Sequence, residues 1–319
     1  MKRRLSGFTS QEGRAAFLAA YDHVLAELWP VPYQSVELPT RFGPTHAIVS
    51  GPPAAPPLLL LHGAGLSASS WYPNIATYAE RFRTYALDTI FDAGHSRQTR
   101  PLQSRQDCAA WLGDVLDELG IDQTGIVGLS QGGWAAACAA RFLPDRVSRL
   151  GLLAPVGALA RFKLPYWLLF RFPYLVPKGD ELARTRKVFA SMRMRPDAPF
   201  LQQVALGSKH FGYQRPPVFP WAFSDDDLGR ITAPTLLLVE PAHFVMGRRQ
   251  LLGIRQRAET PQPAGDRERT APPTTAGAEA VAEAVKVGHF VSAARPDLVD
   301  PRVLAHLRAG TRRAAATAP

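Results

Sequence analysis

Ser130 is the residue whose setting in the sequence best predicts chemistry. It is the centre of a G-x-S-x-G pattern at residues 128–132, between a short apolar run that indicates a buried strand and an alanine-rich segment that indicates a helix. A strand that reverses directly into a helix forces its central residue into a sparsely populated backbone conformation, at a cost of about 1–3 kcal/mol. Glycine at Gly128 and Gly132 lets the two elements pass closely. The pattern predicts a nucleophilic hydroxyl at the positive end of a helix.

A serine hydroxyl is inert at its ordinary pKa and needs a neighbouring base. Among the eight histidines, His289 directly follows Gly288 at the end of the last apolar run, where a loop could carry it over Ser130. His62 precedes Gly63, a setting that favours a structural hydrogen-bond partner. Five others have no motif around them and are assigned to the surface, the core or a polar turn: His23, His46, His95, His210 and His306.

The composition bounds the class of protein. A chain of 319 residues with 46% hydrophobic content can form one large α/β domain with an insertion, or two ordinary domains. The chain carries a net charge of +10. It has no stripe of basic residues interleaved with aromatic residues and no zinc or nucleic-acid motif, so we predict no nucleic-acid partner. Cys108 and Cys138 lie in predicted helices, which argues against a disulfide framework.

Other segments exclude further classes of protein. No stretch reaches about 18 uncharged apolar residues, which predicts no stable membrane insertion and a cytoplasmic location. Metal-ligand spacings and phosphate-binding loops are lacking, so we expect neither a metal nor another cofactor. The sequence leaves the oligomeric state open.

The order of the elements predicts a doubly wound, mostly parallel sheet, which is an α/β fold. Residues 1–34 form an N-terminal helical extension with a helix over 10–29. Residues 35–155 form the first part of the core. Its predicted elements are a hairpin (35–42 and 45–50), strands at 58–61, 84–87, 124–129 and 147–153, and helices at 71–82, 106–119 and 134–142.

The alternation stops at Pro155. Residues 156–224 show no strand signal, and their aromatic, proline-punctuated pieces predict a helical cap over the strand ends. The cap aromatics at 162–174 either form its core or line an acyl pocket. The second part of the core, 225–309, contains a strand at 234–240, an irregular stretch at 241–283 and a helix at 296–308. A basic tail, 310–319, follows.

Four fingerprints then carry a resemblance to a known family. They are His62-Gly63-Ala64-Gly65 after a strand, Asp88 with residues 92–96, the Ser130 turn, and Val287-Gly288-His289. In this order they make the chain similar to the α/β-hydrolase fold superfamily, in its lid-bearing serine esterase/lipase-like branch. The resemblance covers residues 35–240 and 283–308.

The resemblance implies a role for each matching residue. Ser130 is the nucleophile and His289 the base, while the backbone N–H groups of Gln131 and Ala64 form an oxyanion hole. His62, Gly63, Gly128 and Gly132 support the two turns. The implied function is hydrolysis of a small carboxylic ester or related acyl compound through an acyl-enzyme, without a cofactor.

The acid is where the sequence departs from the family pattern. That pattern places a carboxylate at the position of His243, and the nearest substitute is Glu240, which is followed by Pro241. We take Glu240 as the candidate acid. Two alternatives stay open: a non-catalytic or impaired hydrolase-fold binding protein, and a lipase-like enzyme whose cap lies on an anionic membrane surface.

Overall fold

A central eight-stranded sheet organises the chain. The structure is a computed structural model that describes residues 5–156, 180–191, 194–214, 222–239, 280–284 (backbone) and 295–308. The strands are β1 (Gly7–Phe8), β2 (Tyr33–Leu38), β3 (Thr45–Ser50), β4 (Pro57–Leu61), β5 (Arg83–Leu87), β6 (Thr124–Leu129), β7 (Val147–Leu153), β8 (Phe211–Gly212), β9 (Thr235–Val239) and β10 (Ala280–Ala284).

Helices cover the sheet. They are α1 (Gln11–Leu28), α2 (Ile75–Ala79), α3 (Arg105–Glu118), α4 (Gln131–Phe142), α5 (Glu181–Ser191), α6 (Ala198–His210), α7 (Asp225–Gly229) and α8 (Pro296–Arg308), with 3₁₀ turns at Ala68–Trp71 and Pro144–Arg146. The order of strands in the central sheet is β10-β9-β7-β6-β4-β5-β3-β2. Strands β5, β4, β6, β7, β9 and β10 are parallel, and β2 and β3 extend them as an antiparallel hairpin. The predicted doubly wound, mostly parallel sheet is confirmed.

Strand β4 shows why the sheet is buried on both sides. Leu59 and Leu61 belong to the apolar layer that contains α3 and α4, whereas Leu58 and Leu60 belong to the opposite layer with α1, α2 and α8. All four side chains are fully buried. A continuous apolar run is therefore required here, because successive side chains of a strand point to opposite faces.

The predicted helix over 71–82 is wrong in its extent. A 3₁₀ turn ends at Trp71, and α2 begins only at Ile75. Pro73 lies between them and has no N–H to donate, so one continuous helix would lose a hydrogen bond at this point.

Two further expectations about strands are corrected. Within 156–224, where none was predicted, β8 pairs antiparallel with β1 near the N-terminus. A two-residue strand has no readable period, and its partner lies some 200 residues away in the chain. Within the predicted irregular stretch, β10 begins at Ala280 and pairs with β9. Its alanine-rich composition is a weak strand signal, so pairing decides its state.

The N-terminal helix was predicted correctly. The Ser10 side chain accepts a hydrogen bond from the Gly13 N–H, which closes the first turn of α1. Among the described residues, no helix is both long and apolar enough to cross a membrane.

Candidate active site

Ser130 occupies a strained turn between β6 and α4. Its backbone angles are φ 53° and ψ −113°, a region that residues with a side chain rarely adopt. Two backbone hydrogen bonds hold it there: the Ser130 N–H donates to the Leu153 carbonyl at 2.9 Å, and the Val156 N–H donates to the Ser130 carbonyl at 3.1 Å. The strained conformation that the sequence pattern predicts is thus fixed by Leu153, the last residue of β7, and by Val156 beyond it.

The glycines on either side of Ser130 are required by close backbone contacts. A Cβ on Gly128 would lie 2.3 Å from the Gly132 carbonyl oxygen, and a Cβ on Gly132 would lie 2.3 Å from the Leu61 carbonyl oxygen. Both distances are far shorter than van der Waals contact. The G-x-S-x-G pattern therefore reflects the crossing of β6, α4 and the end of β4.

A second turn, residues 63–66, which we call the glycine turn, lies against Ser130. A Cβ on Gly63 would lie 3.3 Å from the Ser130 Cβ. The Leu66 N–H donates to the Gly63 carbonyl at 3.2 Å, and Gly65 has φ +71°, the value that a type II turn needs at its third position. Ala64, at the second position, is exposed, whereas Ser130 is buried.

His62 has a structural setting, as its motif predicts. Its Nε2 accepts a hydrogen bond from the Thr89 N–H at 3.0 Å, so Nδ1 carries the proton and donates to the Gly63 carbonyl at 2.9 Å. Both ring nitrogens are therefore used, and the side chain ties the glycine turn to the segment after β5.

Asp88, which directly follows β5, is fully buried, and its carboxylate accepts four hydrogen bonds, from the His46 ring, the Tyr21 hydroxyl and the N–H groups of Ala68 and His95. Burial alone would raise its pKa, but the His46 ring and the backbone donors outweigh burial and lower it. Asp88 is therefore an anion that organises the loop after β5. His46, which the sequence assigned to surface or core, lies in the core.

Asp92 is a second buried carboxylate, and it contacts the glycine turn directly. Its Oδ1 accepts a hydrogen bond from the Gly65 N–H at 2.9 Å. The Tyr213 hydroxyl lies near this carboxylate, and burial raises the pKa of Asp92. The sequence singled out residues 92–96 only as a family fingerprint and predicted no role for Asp92 or Tyr213. No local pattern signals their contact.

Gln203 of α6 contacts the residues that directly follow the glycine turn. It is buried, its Oε1 accepts from the Ser69 hydroxyl and its Nε2 donates to the Ser67 oxygen, both at 2.9 Å. Helix α6 is thereby fixed to the chain that continues from the glycine turn. Sequence reasoning missed Gln203 because a single glutamine on an amphipathic helix is an ordinary surface residue.

The predicted base and acid are not among the described residues. His289, Glu240 and His243 lie outside them, as do the cap aromatics at 162–174. Of the predicted site residues, the structure brings together Ser130, Gln131 and the glycine turn with Ala64. In the part of the chain described, no group of three or more His, Cys, Asp or Glu side chains could hold a metal ion.

This geometry is that of a hydrolase of the α/β class, and comparison with known proteins agrees. The profile of the alpha/beta hydrolase fold family matches residues 56–183. Carboxylesterase YbfK of Bacillus subtilis (strain 168) is 34% identical over 315 residues, covering 95% of this chain and 97% of that protein. The chain belongs to the α/β-hydrolase fold family.

Two further relatives are similar over most of their length. The uncharacterized carboxylesterase nap of Bacillus subtilis (strain 168) is 34% identical over 294 residues, covering 89% of this chain and 90% of that protein. The crystal structure of naproxen esterase (carboxylesterase NP) from Bacillus subtilis superimposes with a TM-score of 0.79 at 30% identity, covering 93% of this chain and 98% of that chain.

Proposed function

We propose that this protein is a carboxylic ester hydrolase in which the Ser130 hydroxyl attacks the ester carbonyl. The observation that carries the proposal is the conformation of Ser130, held at φ 53° at the start of α4 and against the glycine turn. Stored strain of this kind is concentrated at functional sites. The relatives that cover most of the chain are named carboxylesterases, which supports the same reaction class.

Two backbone N–H groups serve as the oxyanion hole in this proposal. Gln131 is the first residue of α4, and the first N–H groups of a helix have no partner within the helix. Ala64 is exposed in the turn that touches Ser130. Donors of this kind, aimed at the developing negative charge, contribute about 3–4 kcal/mol each to the transition state.

The proton transfers belong to His289. It takes the Ser130 proton as the bond from Oγ to the carbonyl carbon forms, and it returns this proton to the leaving alcohol as the ester C–O bond breaks. Water then releases the acid from the acyl-enzyme by the same steps. Glu240 orients the histidine. Both assignments come from the sequence pattern and stay predictions.

The substrate class is a small carboxylic ester or related acyl compound, and we propose that residues 156–224 form the cap over the site. Helices α5 and α6 lie in this segment, and Gln203 connects α6 to the chain beyond the glycine turn. The reaction needs no cofactor. A cytoplasmic location stays a prediction that cell fractionation tests.

Labelling with a fluorophosphonate probe tests the nucleophile. We expect one label per chain, located at Ser130 by peptide mapping, and no label in Ser130→Ala. Ser208→Ala is the matched control, because Ser208 is an exposed serine on α6, and it should label like the wild type. A label on another residue, or hydrolysis of p-nitrophenyl butyrate by Ser130→Ala at the wild-type rate, would show that the assignment is wrong.

The acid is tested by two opposed variants. If Glu240 orients His289, Glu240→Gln should remove nearly all activity and His243→Asp should change little. If the family position is the functional one and the present triad is impaired, His243→Asp should raise kcat at least about tenfold, because correct orientation of the histidine has effects of up to about 10⁴ in related sites. Activity unaffected by either variant would contradict both assignments.

A further inference from the structure

The proposed mechanism makes no use of Asp92, although this buried carboxylate is hydrogen-bonded to the glycine turn. We propose that Asp92 and Tyr213 are positioning residues that hold the glycine turn in the shape that binds the oxyanion, so that the cap side of the molecule controls catalysis through them. This inference rests on the proposed function of Ser130 and extends it to the control of the oxyanion hole.

The first step is the orientation of one peptide unit. The Gly65 N–H lies in the peptide between Ala64 and Gly65, and it donates to Asp92 Oδ1 at 2.9 Å. The adjacent peptide, between Gly63 and Ala64, carries the proposed oxyanion donor. Because the turn is closed by the bond from Leu66 N–H to the Gly63 carbonyl, fixing one of these peptides restricts the other.

The second step concerns what fixes Asp92. Asp92 is only 1% exposed, and its own N–H donates to the Thr89 carbonyl at 3.1 Å. Its carboxylate is therefore held inside the protein and cannot turn outward into solvent. The Tyr213 hydroxyl lies beside this carboxylate and close to Gly65. Burial and the neighbouring Asp92 raise the pKa of Tyr213, so the hydroxyl keeps its proton throughout the pH range of an esterase assay.

The third step is the origin of Tyr213. It directly follows β8, which follows α6, and β8 is paired with β1. Its ring packs edge-to-face on Phe211 with centroids 5.4 Å apart. The residue is 49% exposed, yet its hydroxyl lies 3.8 Å from the position of a Cβ on Gly65. The ring therefore lies at the rim of the site while its hydroxyl reaches inward.

Gln203 adds a second connection from the same side. It lies on α6 and bonds to Ser67 and Ser69, immediately beyond the glycine turn. The segment 203–213 thus contacts the glycine turn and the residues after it at two places, through Tyr213 and through Gln203. Movement of this segment would shift the Tyr213 hydroxyl relative to Asp92 and Gly65. Oxyanion donors act through prior orientation, so a displacement of about 1 Å is enough to lower the rate strongly.

The test is Tyr213→Phe, which keeps the ring and removes only the hydroxyl. We expect kcat for p-nitrophenyl butyrate to fall about tenfold with KM changed less than about twofold, since the donors act chiefly in the transition state. The affinity for a trifluoromethyl ketone, whose adduct with a serine carries an oxyanion, should fall by a similar factor. Asp92→Asn should reduce both quantities further.

Tyr72→Phe is the matched control. The Tyr72 hydroxyl also joins the body of the protein to an aspartate on the cap side, donating to Asp197 Oδ2 at 2.6 Å, but it does not contact the glycine turn. We expect Tyr72→Phe to leave kcat and inhibitor affinity within about twofold of the wild type. Because Tyr213 acts through Asp92, adding Tyr213→Phe to Asp92→Asn should cause little further loss.

Equal effects of Tyr213→Phe and Tyr72→Phe on kcat and inhibitor affinity would overturn the proposal, and so would a loss confined to KM. If Asp92→Asn does not fold, Tyr213→Phe still decides the question. Failure of the proposed function would be recognised separately, by Ser130→Ala retaining activity. That result would remove the basis of the inference as well, whereas an inactive Ser130→Ala together with equal effects of Tyr213→Phe and Tyr72→Phe would contradict the inference alone.

Discussion

The two turns that meet at the candidate active site are held by different kinds of contact. The nucleophile turn around Ser130 is fixed by its own backbone: by bonds to Leu153 and Val156, and by close crossings at Gly128 and Gly132 that leave no room for a side chain. The glycine turn at 63–66 is fixed by side chains from distant positions. Asp92 lies 27 residues beyond Gly65, and Gln203 lies 136 beyond Ser67.

This difference separates the turn that carries the nucleophile from the turn whose shape depends on distant side chains. The contacts of the nucleophile turn come from backbone atoms of β4, β7 and α4 and from Val156, so they do not depend on the position of any side chain. Side-chain contacts depend on the position of the element that supplies them, here the segment from α6 to Tyr213. The nucleophile turn should therefore respond mainly to changes at its serine and glycines, whereas the glycine turn should respond to changes far from it.

The largest expected effect is at Ser130 itself. Ser130→Ala should lower kcat by more than about 10⁴, as removal of the nucleophile does in other serine hydrolases. Ser130→Gly should be equally inactive but more stable than Ser130→Ala by about 1 kcal/mol, because glycine tolerates φ 53°. Ester hydrolysis and urea unfolding measure these two quantities. Equal stability of the two variants would mean that the turn stores little strain.

A change at the crossing of the backbones should be nearly as severe. Gly132→Ala places a methyl group 2.3 Å from the Leu61 carbonyl oxygen, so we expect a loss of several kcal/mol in the free energy of unfolding, together with loss of activity. Gly120→Ala is the control. Gly120 has φ +63° with nothing near its Cβ position, and it should cost only about 1–2 kcal/mol. Similar losses for both would show that the backbone relaxes enough to accept a methyl group at Gly132.

Contacts made by ionisable side chains depend on pH, whereas those of the nucleophile turn do not. Asp300 of α8 accepts hydrogen bonds from Asn74 and Tyr78, and burial raises its pKa to about 6. As pH rises from about 4, the unfolded chain releases this proton before the folded one does. The contribution of protonated Asp300 to the free energy of unfolding is thus complete at low pH. It is lost as pH rises through about 6, a change of at most about 3 kcal/mol.

Asp300→Asn tests this pH dependence. Its free energy of unfolding should vary less between pH 4 and pH 7 than that of the wild type, as measured by denaturant titration across that range. A variant with an unchanged slope would show that Asp300 does not titrate in this window.

The smallest expected effect is at Gln203. Gln203→Leu removes one hydrogen-bond partner from each of the buried hydroxyls of Ser67 and Ser69, which then bond only to each other, and this should cost about 1–2 kcal/mol and lower kcat/KM about fivefold. Gln202→Leu is the control, because Gln202 is the exposed neighbour on the same helix. A drop in kcat/KM that is the same in both variants would argue against a connection from α6 to the glycine turn.

How much of the site the sequence can predict follows from the same comparison. Ser130 and its turn were predictable because a strand, a glycine-flanked residue and a helix are consecutive in the chain, and sterics within that stretch leave few conformations. The apolar run of β4 predicts a buried strand for a similar reason. The outline of the family fold follows from the regular alternation of such local signals.

Only the tertiary structure decided what surrounds the nucleophile. The contact of Asp92 with Gly65 and Tyr213, the reach of Gln203 to Ser69, and the pairing of β1 with β8 join residues that are far apart in sequence. Each partner alone is an ordinary aspartate, tyrosine, glutamine or dipeptide. Hydrogen bonds of this kind depend on where the folded backbone brings two groups together, and a local pattern of residue types carries no record of that distance.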